Sequence, residues 1–167
     1  MQIFAIFALI ILLLFSYYLG RVKGYLQAYD NLVKSFAQEK RKTFLEEQRR
    51  KNHDKGLDLS VYFTNRGITK MVIFGCEGGY YHEFLEDLNI SSFDKMYLAD
   101  SNAKYMKDKG DKVYDTRELK ELDFQCIVVT SISHFTEIKK TLRRNGIDKL
   151  IVGYSDLVFN LQKEVCE

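Results

Sequence analysis

The chain has 167 residues, enough for one small domain plus an extension. Its three cysteines, Cys76, Cys126 and Cys166, are odd in number and form no CxxC pair. That excludes a disulfide framework and a cysteine-rich zinc site and fits a reducing cytoplasm. The formal charge is +2, unevenly placed: residues 21–51 hold nine Lys/Arg against four Asp/Glu, which leaves the remainder mildly acidic.

The first charged side chain is Arg21, and the preceding run is MQIFAIFALIILLLFSYYLG. About 20 apolar residues suffice to span a bilayer as a helix. Tyr17 and Tyr18 near its end suit a membrane interface. No basic residue precedes the run, and Ser-Tyr-Tyr-Leu-Gly is a poor cleavage site, which excludes a signal peptide. Residues 1–20 are therefore expected to be an uncleaved transmembrane anchor with the lipid bilayer as partner. The lysines and arginines that follow put the N-terminus outside and the C-terminal domain in the cytoplasm, at an inner or plasma membrane.

Residues 21–56 read as a basic helical stalk. Leu26, Tyr29, Leu32, Val33 and Phe36 recur at three- and four-residue steps, good helix formers surround them, and Gly56 is a natural stop. The stripe is apolar enough to seek a partner, either a second copy in a homo-oligomer or a partner membrane protein, although a solvated stalk fits equally. Gly20 and Gly24 form a small-xxx-small spacing. The basic segment favours anionic lipid over nucleic acid, because no nucleic-acid motif accompanies it.

Residues 57–167 alternate strand and helix. Strands are expected at 71–74, 96–99, 113–114, 126–129 and 150–152, with helices from Tyr81, from Phe135 to Leu142 and over 155–165. The strands are apolar throughout, as in a parallel sheet buried on both faces. Right-handed crossovers then give a small Rossmann-like α/β sheet of about five strands in the order 3-2-1-4-5.

Such a sheet binds ligands at the carboxyl ends of its strands, near the switch in strand order. Three segments meet there: Gly75-Cys76-Glu77-Gly78-Gly79, Asp100-Ser101-Asn102, and Thr130-Ser131-Ile132-Ser133-His134. Glycines let a phosphate approach backbone N–H groups, and Asp100, placed after the second strand, is positioned to accept ribose hydroxyls. The candidate binding residues are Gly75, Glu77, Gly78, Gly79, Asp100, Ser101, Thr130 and Ser131. Glu77 puts a negative charge where a diphosphate would lie. The plain alternatives are a glycine loop that only turns a corner, Asp100 as a cap or turn residue, Ser131 and Ser133 as helix caps, and Tyr80 or Tyr81 either walling a ligand or sitting in the core. No carboxylate pair, nucleophile–base spacing or metal-ligand set stands out. This argues against independent catalysis.

The strings Val72-Ile-Phe-Gly75-Cys-Glu-Gly-Gly79, Leu98-Ala-Asp100-Ser-Asn, then Gly110, Val113 and Glu118-Leu119, Ile127-Val-Val-Thr-Ser131, and Ile138…Leu142…Gly146-Ile147 carry a resemblance. Over about residues 68–153 the chain resembles the small Rossmann-like accessory domain of bacterial nucleotide-sugar and polysaccharide-modifying enzymes. Such domains stand at the N-terminus of membrane-bound nucleotide-sugar dehydratases and the C-terminus of sugar C-methyltransferases. The resemblance implies binding of a nucleotide, a nucleotide-sugar or a partner enzyme in cell-surface polysaccharide metabolism, with catalysis elsewhere. Two other readings stand beside it. One is a ligand-free adaptor subunit. The other is a small S-adenosylmethionine-dependent methyltransferase, whose loop and ribose acid Gly75–Gly79 and Asp100 also resemble.

Overall fold

A five-stranded parallel sheet in the order β3-β2-β1-β4-β5 organises the chain's C-terminal part. The computed structural model describes residues 2–76, 79–106 and 112–166, without the side chains of 2–14 and 164–166. The chain divides into two units, residues 1–43 and 44–167.

The first unit is helix. α1 runs without a break over Gln2–Asp54, so its last turns belong to the second unit. Within the first unit Phe15, Val22, Tyr29 and Phe36 stand seven residues apart. Three and four residues beyond each of the first three lie Tyr18 and Leu19, Tyr25 and Leu26, Leu32 and Val33. All ten side chains are exposed.

The anchor expected over residues 1–20 is overturned. Among the described residues, no helix is long and apolar enough to cross a membrane. The apolar run is not a separate segment but the start of one 53-residue helix that continues through Arg21, Lys23, Asp30 and Lys34. The single-pass arrangement, with its outside N-terminus and cytoplasmic domain, falls with the anchor.

In the second unit the strands are β1 Lys70–Phe74, β2 Lys95–Ala99, β3 Val113–Tyr114, β4 Cys126–Val129 and β5 Leu150–Gly153. All neighbours are parallel; β1 pairs Phe74 with Ala99 of β2 and with Val129 of β4. Side chains alternate between the faces, as a strand requires. Met71, Ile73, Cys126 and Val128 point into one core, and Val72, Phe74, Ile127 and Val129 into the other.

The first core is covered by the end of α1 (Leu45), by α2 Ser60–Thr64 (Phe63), α3 Tyr81–Glu86 (Phe84) and α5 Tyr154–Cys166 (Leu157, Val158, Leu161). The second is covered by α4 Phe135–Arg144 (Leu142), a 3-10 turn at Glu118–Glu121 (Leu119), Phe124 and Ile147. Two layers of cover on a parallel sheet are the Rossmann-like α/β arrangement.

Polar side chains pin this frame. α1 ends where Gly56, at φ +66°, donates to the His53 carbonyl while Leu57 donates to that of Asn52, a glycine-closed helix end. Asn52, almost fully buried, donates from Nδ2 to the Val158 carbonyl at 2.8 Å. Gln125, just before β4, accepts the N–H groups of Thr69 and Lys70 and donates to the Gly67 carbonyl. One side chain thus closes the amino end of β1 against β4.

Candidate functional site

β1 leaves the sheet at Phe74, β2 at Ala99 and β4 at Val129, all at one edge. The chain crosses from one side of β1 to the other between β2 and β4, so the loops after β1 and β4 diverge there and leave a crevice. A cleft of about 430 Å³ opens at that point, within the range of small-molecule sites. Its walls are Phe74, Gly75 and Gly79 after β1, Asp100 and Ser101 after β2, Thr116 after β3, Ser131 after β4, and His134, Glu137, Ile138 and Thr141 along α4.

Five of the residues expected from sequence meet in this cleft: Gly75, Gly79, Asp100, Ser101 and Ser131. Glu77 and Gly78 lie outside the described residues, as does Gly110, and the side chain of Cys166 does too. Thr130 is fully buried beneath the cleft. Its hydroxyl donates to the Gly75 carbonyl at 2.6 Å and lies 3.2 Å from that of Phe74. Thr130 therefore holds the loop rather than facing a ligand.

The two described loop glycines are needed for the loop itself. Gly75 has φ +98° and Gly79 φ +66°, a region that costs L-residues energy. A Cβ on Gly75 would stand 2.9 Å from Thr130 Oγ1, and one on Gly79 would stand 3.2 Å from the Thr130 carbonyl oxygen. The β1–α3 loop is thus seated on the end of β4.

Asp100 is buried at the mouth of β2. Its Oδ1 accepts the Asn102 N–H at 2.9 Å, an Asx turn of the kind its residue type favours, and this leaves further acceptor capacity on the carboxylate. His134 occupies the N-cap position of α4 without a side-chain cap. Neither Ser131 nor Ser133 caps that helix. His134 Nδ1 is 3.5 Å from Glu137 Oε2 with both groups largely exposed. Tyr80 and Tyr81 pack against the first core, away from the cleft, and the Tyr80 ring lies 5.7 Å from that of Tyr154.

The wall along α4, of which only His134 lies in a segment expected from sequence, has one geometric cause. His134, Glu137, Ile138 and Thr141 are spaced as one face of a helix. The topology lays that face along the switch point. Thr116 follows β3 as Asp100 follows β2, so the rule that pointed to one strand end also points to the other.

The lining contains two carboxylates, Asp100 and Glu137, and four hydroxyls, on Ser101, Thr116, Ser131 and Thr141. No Lys or Arg is among the described lining residues. Such a surface accepts hydrogen bonds from a hydroxyl-rich ligand and offers an anion little charge compensation.

These features define the class as a Rossmann-like α/β domain with an open cleft at its strand-order switch. Residues 67–152, just over half the chain, match the C2185-like, N-terminal family, and the chain belongs to it. No curated protein matches the sequence.

Proposed function

We propose that the chain is a non-catalytic binding domain that takes a nucleotide-type ligand in the cleft, with the ribose or sugar hydroxyls on Asp100. The observation that carries this reading is the buried carboxylate of Asp100 at the carboxyl end of β2, on the wall of a ligand-sized cleft. Ribose hydroxyls are donors that such a carboxylate accepts. The place of this binding in nucleotide-sugar or polysaccharide metabolism rests on the sequence resemblance alone.

One observation favours a second ligand within the same pose. With Asp100 and Glu137 in the lining and no described lysine or arginine, a cationic nucleoside such as S-adenosylmethionine meets better charge complementarity than a diphosphate does.

The test is thermal unfolding of the full chain with a nucleotide-sugar, NAD and S-adenosylmethionine in turn. A ligand at a hundredfold excess over its Kd stabilises the native state by about 2.7 kcal/mol, read as a rise of several degrees in Tm. The rise is expected with a ribose-bearing ligand and is lost in Asp100→Asn, which keeps the acceptor for Asn102. No rise with any of the three at millimolar concentration overturns the reading in favour of a ligand-free adaptor. A rise retained in Asp100→Asn overturns the site.

A further inference from the structure

The apolar series on α1 repeats every seven residues, not merely with the 3.6-residue turn of a helix. Phe15, Val22, Tyr29 and Phe36 hold one position of the repeat, and the positions three and four residues on are apolar in each of three successive repeats. A straight helix drifts by about 20° per seven residues, so a face kept to a seven-residue period is a seam for another helix wound around it. The seam has a definite end. After Phe36 the next two positions are Glu39 and Lys40.

We propose that this seam, residues 15–36, is covered by the same seam of a second copy of the chain. The period matches itself by construction. The area is also sufficient. Five of the ten side chains are aromatic, and an aromatic side chain carries about 150–250 Å². At 60–68% exposure, those five offer roughly 450–850 Å², before the five aliphatic side chains are counted. A stable interface takes about 800 Å² from each partner.

The opposite face is built for water. Asp30 and Lys34 pair there at 2.6 Å, both well exposed. Gly20 and Gly24 also lie off the seam, at other positions of the repeat, with open space around each. The contact therefore does not run through the small-xxx-small spacing.

The test is the mass of the full chain by sedimentation equilibrium, with Leu32→Glu on the seam and Gln27→Glu on the outer face. The expected result is twice the 19.6 kDa of one chain for the wild type and Gln27→Glu, and a single-chain mass for Leu32→Glu. A wild type that stays at single-chain mass at every concentration overturns the proposal. So does a Leu32→Glu variant that keeps the doubled mass. A second measurement needs no variant: the Tm of the wild-type helix signal rises with protein concentration if two copies pair, and a concentration-independent Tm overturns the proposal.

Discussion

Arg49 Nε lies 2.8 and 2.9 Å from the two carboxylate oxygens of Asp87, joining the last turns of α1 to the end of α3. The Arg49 Nη2 reaches Glu86 at 2.8 Å, and the Tyr154 hydroxyl donates to Asp87 at 2.5 Å. Asp87 is buried, so its charge is compensated almost entirely by these neighbours.

Arg49→Ala is therefore expected to destabilise the second unit by about 3 kcal/mol, because it leaves a buried carboxylate with only the Tyr154 hydroxyl and His53, whose Nε2 lies 3.4 Å from Oδ1. Urea unfolding of the full chain, followed by tyrosine fluorescence, checks it. A loss below half that figure would mean that water reaches Asp87. Truncating both groups, in Arg49→Met with Asp87→Leu, should cost less than the single change.

Alkaline pH should weaken the fold. Burial pushes the Cys126 thiol up to about 12. Burial and then the hydrogen bond to Asp87 push the Tyr154 hydroxyl well above its usual value, and burial raises that of Tyr80. Each group holds its proton more tightly when folded, so the unfolded chain binds fewer protons over that interval. The contribution is fully present below pH 9 and declines from there toward pH 12. Thermal unfolding between pH 7 and 10.5 should show a falling Tm, less steep in Tyr154→Phe on the alkaline limb. A flat profile would contradict the burial argument.

The same thiol gives a chemical readout. A buried thiol with a raised pKa is a poor nucleophile. Alkylation at neutral pH, mapped by mass spectrometry, should leave Cys126 unlabelled in the native protein and label it in denaturant. Native labelling at a rate near that of a free thiol would show that β4 opens readily.

Glycine substitutions separate backbone strain from collision. Gly67 has φ +64° with nothing within 4 Å of an added Cβ, so Gly67→Ala should cost about 1 kcal/mol. Gly75→Ala adds a collision with Thr130 to a comparable strain and should cost about 3 kcal/mol. Equal losses at the two positions would show that the β1–α3 loop moves freely off β4.

The strands were legible because each is a short apolar run bounded by polar or turn residues. Val113–Tyr114 and Cys126–Val129 fall where the pattern puts them. Their order followed from the rules of crossover connections. α2 was not legible, since five residues are too few to show a period. The inclusion of the end of α1 in the domain was hidden as well. Leu45, Arg49 and Asn52 look like the rest of a polar helix, and what they meet lies far along the chain: the first core for Leu45, Asp87 for Arg49 and the Val158 carbonyl for Asn52.

In the site, strand ends were legible and the helix wall was not. Asp100 and Ser131 follow strands. Glu137 and Thr141 read as ordinary solvated helix positions until the topology turns their face to the cleft. The expected anchor failed for a related reason. The length of an apolar run does not mark where a helix ends, and in the structure the run is one part of a 53-residue helix.

The outer strands of the sheet carry a last consequence. β3 contributes two residues and β5 four before it passes directly into α5. Such short borders are poor templates for strand addition, with Lys112 and Lys149 standing at their entrances. The sheet is thereby guarded against amyloid-like stacking, edge against edge.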